Sequence, residues 1–304
     1  MKEEIENYLY VCKKSKGLSK ATLKAYKIDF KQFEEFMFDK NYLSKNDLVA
    51  YVQLQHDRYK PKTAKRKIAC IKAFYHYLEI ENIIEYNPFH KILLKYKEPI
   101  LLPKTIPLDY IYKILNFSYD FYNTSPSTYQ KEIRLRNIAV IELLFSTGMR
   151  VSELSHLKTK DIDLSSGNIR ILGKGAKERV MCVTNEDILN IIRKYISIRK
   201  ENDYVFVNRQ GERFSEQSIR NMINKYAKSA QIPLHITPHM FRHTFATELH
   251  NEDVDIQYIQ QFLGHSSITT TQIYSHISTN KMKNILENKH PRNNIRFNCH
   301  QITF

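Results

Sequence analysis

No stretch of this 304-residue chain reaches the roughly 18 consecutive apolar residues that a membrane-spanning helix needs. The longest apolar runs, such as Ile138-Ala139-Val140-Ile141, are soon broken by charge. A membrane protein is therefore not expected. The opening residues, MKEEIENYLY, lack the basic-then-apolar order of a signal peptide. Cys12, Cys70, Cys182 and Cys299 are far apart and form no CxxC pair. That spacing fits neither a disulfide framework nor a zinc ribbon, and a reduced, cytoplasmic setting is expected. Seven glycines against twenty tyrosines and sixteen phenylalanines argue against a disordered or low-complexity chain. No internal repeat is visible.

Acid is in short supply. There are 47 Lys and Arg against 32 Asp and Glu, a net charge of +15. Such an excess attracts polyanions, nucleic acid first and an anionic membrane surface second. It could also reflect a lysine-rich proteome and nothing more. The excess is spread along the chain: residues 1–100 carry 20 basic and 13 acidic side chains. Two basic lobes gripping one polyanion suit this better than one basic tail.

Residues 1–97 read as helices. Ser19 is a good N-cap, and Leu23, Tyr26, Phe30 and Phe33 recur near helical spacing after it. A second helix follows Ser44. A third is expected from Lys62 to about Leu78. The run Lys60-Pro-Lys-Thr-Ala-Lys-Arg-Lys67 places cations at its start, against the helix dipole. An external phosphate held by Lys62, Lys65, Arg66 and Lys67 is one reading; a solvated lysine face is the other. Three prolines in Lys97–Pro107 mark an extended linker, 98–107, between domains at 1–97 and 108–304. Helices are expected at 108–117 and 130–147, the latter stopped by Gly148. Ile162 and Leu164, then Ile169 and Ile171, then Val180–Val183 alternate around two turns, which predicts a small three-stranded antiparallel sheet. The rest reads mainly as helix.

Arg150 follows the glycine stop at 148, with Glu153 one turn on to hold it. A rigid guanidinium suits a bidentate phosphate contact. Lys174 lies between Gly173 and Gly175 at a hairpin tip, a place for a solvated lysine or a mobile proton donor. The string is not a Walker A loop, so nucleotide binding is rejected there. His235, His239 and His243 fall at steps of four, which suggests a metal. Thr237 and Pro238, however, start a helix after His235 and break the ladder. His239, Arg242 and His243 remain on one face. No HExxH is present and an arginine is a poor neighbour for zinc, so an anion is favoured over a metal. A helix over Asp255–Leu263 stops at Gly264, directly before His265. Ser266 or Ser267 caps a further helix, Ile268 to about Ile277, carrying Tyr274, a phenol able to act as nucleophile.

The strings TGMRVSEL, GKGAKERV, HMFRHTFAT and LGHSSITTTQIY, in this order, resemble the tyrosine recombinase (phage integrase) family, most of all its compact Xer-type members. The resemblance implies a two-domain DNA clamp: a helical, SAM-like core-binding domain and a mainly α catalytic domain with the small sheet. It implies Arg150, Lys174, His239, Arg242, His265 and Tyr274 as catalytic, with Glu153 in support. Tyr274 would attack a DNA phosphate and leave a 3′-phosphotyrosyl link. Neither metal, ATP nor other cofactor is implied. The implied partner is a double-stranded recombination site, bound by a homo-tetramer or a hetero-tetramer with a related recombinase. Asn280–Asn288 would be a short helix docked on a neighbouring subunit. Rival readings are a type IB topoisomerase, a DNA-binding regulator without catalysis, and a zinc-dependent nuclease.

Overall fold

The computed structural model describes residues 1–92, 104–173, 178–264 and 279–295. The chain divides into two compact units, Met1–Leu101 and Leu102–Phe304.

The first unit is built from α1 (Lys2–Lys14), α2 (Lys20–Phe36), α3 (Lys45–Arg58) and α4 (Pro61–Ile80), followed by a 3-10 turn, Pro88–Lys91. Ser19 and Ser44 cap α2 and α3, each hydroxyl accepting from the backbone N–H three residues on. α4 starts at Pro61, whose fixed φ suits the first helical position. The helices close on an aromatic centre of Tyr8, Phe30, Phe33, Phe74 and Tyr75, all fully buried. Phe30 meets Phe74 edge-on at 5.2 Å, and Phe33 meets Tyr51 at 4.9 Å. Edge-on packing sets the positive ring edge against the negative face and adds to area burial.

Asp29 is buried in this unit and fully paired. Arg66 forms a two-point pair with it, and Lys67 Nζ donates to Asp29 Oδ1 at 2.8 Å and to Gln32. Lys67 also lies over the Tyr59 ring, 4.8 Å from its centre. Lys67, one of the expected phosphate contacts, is buried and bonded inside its own unit. A buried carboxylate needs a counter-charge, and Lys67 supplies it.

In the second unit α5 (Leu108–Asn123) and α6 (Thr128–Thr147) form an antiparallel pair, and α5 runs further than the expected 108–117. From Leu135 to Thr147 every residue of α6 is buried, polar Arg136, Asn137 and Glu142 included, so this helix is enclosed on all sides and forms the centre of the unit. α7 (Val151–His156) follows, then β1 (Ile162–Asp163), β2 (Asn168–Leu172) and β3 (Glu178–Cys182). The order is β1-β2-β3, all antiparallel, with Ile169 opposite Met181 and Ile171 opposite Arg179. The mainly α fold with a small three-stranded sheet is as expected. β1 is only two residues, and Leu164 falls in the turn because Asp163 accepts from Ser165 and Ser166 there. α8 (Glu186–Ile198), α9 (Glu216–Ser229), α10 (Pro238–Asn251), α11 (Ile256–Leu263) and α12 (Thr279–Lys289) complete the unit.

The helix expected at 280–288 is α12. Its Leu286 is buried in the core of its own unit. A 3-10 turn, Pro291–Asn294, follows and docks on α6. Arg292 donates to both carboxylate oxygens of buried Glu142, which also accepts from Tyr119. Buried His290 lies beside this pair, with Nε2 2.7 Å from the Ser146 carbonyl oxygen. The expected helix 268–277 lies outside the described residues.

Candidate active site

The site is built on two helix stops. α6 ends at Gly148 with φ +57°, and a Cβ there would lie 2.7 Å from Phe245. Both the left-handed backbone and the close approach require glycine. Two residues on, Arg150 takes the N-cap position of α7. Its backbone N–H donates to Glu153 Oε2 at 2.7 Å, and its Nη1 donates to Oε1 at 2.9 Å. One carboxylate therefore holds both the main chain and the side chain of Arg150, as expected for Glu153.

α10 starts at Pro238, with Thr237 at the N-cap. The Thr237 hydroxyl makes no capping bond, so the proline's fixed φ marks this start more clearly than the threonine does. His239 and His243 on α10 are exposed, and His235 lies outside the helix. Arg242 turns inward and is buried. Its Nη1 donates to the Gly148 carbonyl at 2.9 Å and its Nη2 to the Leu263 carbonyl at 2.6 Å. Arg242 thus bridges the end of α6 to the end of α11, which stops at Gly264 with φ +62°. Burial, then the charge of Arg150, push the Arg242 pKa down to about 10, with Glu153 partly offsetting them. It stays cationic at neutral pH. Burial and the neighbouring His239 and Arg242 also hold the His243 pKa below its ordinary value, so His243 is neutral there.

Arg179, on β3, completes the cluster. It is a residue to which sequence reasoning gave no role. Its Nη1 and Nη2 grip Glu153 Oε1 and Oε2 at 3.0 and 2.8 Å, and its Nε donates to the Phe262 carbonyl at 2.9 Å. The alternation of β3 was the available signal. Arg179 faces Ile171 across the ladder, on the same face as the buried pair Ile169 and Met181. Burial alone would raise the Glu153 pKa, but Arg179, followed by the Arg150 donors, outweighs it and the pKa is lowered. Three guanidinium groups surround one ionised carboxylate, and the surplus positive charge favours an anion such as a phosphodiester.

The structure brings Arg150, Glu153 and Arg242 together and puts His239 and His243 on adjoining turns of α10. Lys174, His265 and Tyr274 lie outside the described residues. Gly173, Gly264 and Thr279 flank them, so the chain leads to them from the hairpin, from the end of α11 and from the start of α12. Of the N-terminal candidates, Lys62 and Lys65 are exposed, Arg66 is partly exposed beside Asp29, and Lys67 is buried. Among the described residues no helix is long and apolar enough to cross a membrane.

Two family models match the chain. One, described as the phage integrase family, matches residues 111–281; the other, described as the phage integrase N-terminal SAM-like domain, matches residues 5–82. A tyrosine recombinase of Agathobacter rectalis is 48% identical over 308 residues, covering 98% of this chain and 99% of that protein. Tyrosine recombinase XerD of Listeria monocytogenes is 33% identical, covering 96% of this chain and 100% of its own. Among solved structures, the XerH site-specific recombinase bound to its palindromic difH substrate has a TM-score of 0.70 at 24% identity, covering 90% of this chain and 82% of that one. A lambda integrase dimer bound to a COC′ core site has a TM-score of 0.67 at 18% identity, covering 92% and 99%. These two structural likenesses concern the fold.

Proposed function

The chain belongs to the phage integrase family as a tyrosine recombinase, a site-specific DNA strand-exchange enzyme, and from that premise we propose how it cuts and rejoins DNA. Tyr274 attacks the scissile phosphorus. The P–O bond to the 5′-oxygen breaks, leaving a 3′-phosphotyrosyl link and a free 5′-hydroxyl. Arg150, Arg242 and His265 hold the non-bridging oxygens, where negative charge is shared in the five-coordinate state. Cations already in position stabilise that charge without reorganising. Lys174 protonates the leaving 5′-oxygen, and His239 helps move the tyrosine proton. The covalent link conserves the phosphodiester energy, so the reaction needs no ATP, and the cationic cluster does the work a metal would do. Attack by the 5′-hydroxyl of a partner strand then restores the backbone and frees Tyr274.

One observation carries this reading. Arg242 donates to the Gly148 carbonyl, two residues from Arg150, and the two guanidinium groups are close enough to lower the proton affinity of Arg242. Like charges are held together this way where an anion is to be received.

We read residues 1–97 as the core-binding domain, 108–304 as the catalytic domain and 98–107 as the link between them. Lys62 and Lys65 contact DNA phosphates from the first, with Arg66 beside them. The working assembly is a tetramer on two duplexes, in the cytoplasm. A covalent-trapping assay tests the chemistry. Protein is mixed with site DNA nicked near the cleavage point, in EDTA, then denatured and run on an SDS gel. A protease-sensitive adduct is expected, absent in Tyr274→Phe. DNA binding without any adduct would overturn the reading; an adduct surviving the substitution would displace Tyr274 as nucleophile.

A further inference from the structure

Arg179 lies where three segments of chain converge. Its backbone is in β3, the strand that follows Lys174 in the sequence. Its fork holds both oxygens of Glu153, the residue that orients Arg150. Its Nε holds the Phe262 carbonyl on the last turn of α11, three residues before His265. Gly264 packs directly against it, since a Cβ there would lie 3.1 Å from the Arg179 side chain.

We propose that Arg179 is a positioning residue for strand cleavage, setting the Arg150 guanidinium and the α11 stop in register with the hairpin. The inference rests on the proposed roles of Arg150, Lys174 and His265 and adds a residue that touches no substrate.

The hydrogen-bond pattern requires arginine. Each Glu153 oxygen accepts two bonds, one from Arg150 and one from Arg179. Without Arg179, Glu153 would hold Arg150 through one group on each oxygen and could rotate. A lysine at 179 would keep the charge but could not hold two oxygens and a carbonyl in one plane. Glu153 is also kept ionised largely by Arg179 against its burial. Arg150 and Arg179 face it directly, and Arg242 lies close enough to feel its charge. Removing Arg179 shifts that balance toward the protonated acid. A protonated Glu153 holds Arg150 less firmly.

The test compares wild type with Arg179→Lys and Arg179→Gln in single-turnover cleavage of the nicked site, at saturating and limiting DNA, between pH 6 and pH 8.5. With an ångström of misplacement in a catalytic group worth on the order of 100-fold, Arg179→Lys is expected to slow cleavage at saturating DNA by ~10- to 100-fold. The half-saturating DNA concentration should change by less than about twofold, the rate alone reporting orientation. Arg179→Gln should lose most rate on the acid side. Combined with Glu153→Gln, Arg179→Lys should add little further loss, because both act through one contact. Overturning results are a wild-type rate in Arg179→Lys, a loss that follows weakened DNA binding or a lowered Tm, or full additivity with Glu153→Gln. If wild type itself forms no adduct, the reading of function falls, and a second measurement decides the role of Arg179. The Arg150 backbone N–H, which donates to Glu153 Oε2, should be protected from exchange in wild type and exposed in Arg179→Lys. Equal protection in both would overturn the positioning role.

Discussion

Arg292 and Glu142, 150 residues apart in sequence, meet as a buried two-point ion pair, with Nε 2.9 Å from Oε2 and Nη2 3.0 Å from Oε1. Tyr119 donates to the same carboxylate at 2.7 Å, and Arg292 Nη1 donates to the Ile295 carbonyl. The pair pins the segment after α12 to the central helix α6.

Removing one partner of such a pair leaves the other charged and buried, which costs about 3–5 kcal/mol. Arg292→Met should therefore lower unfolding free energy by about that much in urea titrations followed by circular dichroism. Arg292→Met with Glu142→Leu should recover most of the loss, because no charge is then stranded. A double variant as unstable as the single one would mean the pair acts by packing alone.

His290 predicts a pH dependence. Its Nε2–H donates to the Ser146 carbonyl and its Nδ1 accepts from the Arg292 N–H. A second ring proton would point at that donor. Burial, with the charge of Arg292 adding to it, lowers its pKa to about 4. The unfolded chain titrates near the ordinary 6.5, so below that pH it binds a proton the folded chain refuses. Stability is unaffected by this group above pH 6.5 and falls as pH drops toward 4, by about 1.4 kcal/mol per unit. Urea midpoints at pH 7, 6 and 5 should show the fall, and His290→Gln should flatten it. An equal slope in the variant would assign the effect to other groups.

The cation run at the start of α4 should separate by burial. Lys62→Gln and Lys65→Gln should each weaken DNA binding and reduce the slope of log affinity against log salt by about 0.9 per lost phosphate contact, leaving Tm near wild type. Lys67→Gln should lower Tm, because Asp29 loses a buried partner. An unchanged salt slope in both exposed variants would remove this helix start from the DNA interface.

The punctuation of the site was legible in the chain. Gly148 and Gly264 mark left-handed stops, and Pro238 sets the start that turns Arg242 inward. Glu153 was legible because its partner is three residues away. Arg179 was not, because its partners come from 26 and 83 residues away. The Lys67–Asp29 pair was hidden for a related reason: a run of cations does not say which member faces a buried aspartate on another helix. Nothing local in the sequence places Pro291–Ile295 either, since what holds it is a carboxylate on α6.

The bridge from Arg242 to the carbonyls of Gly148 and Leu263 also orders events during synthesis. A ribosome that has delivered the chain only through β3 has made the basic N-terminal unit, Arg150, Glu153 and Arg179, but not Arg242 or α11. The N-terminal unit folds first, while the cluster of Arg150, Glu153, Arg179 and Arg242 is still incomplete. A chain that stops before α11 lacks the bridge that joins the two helix stops.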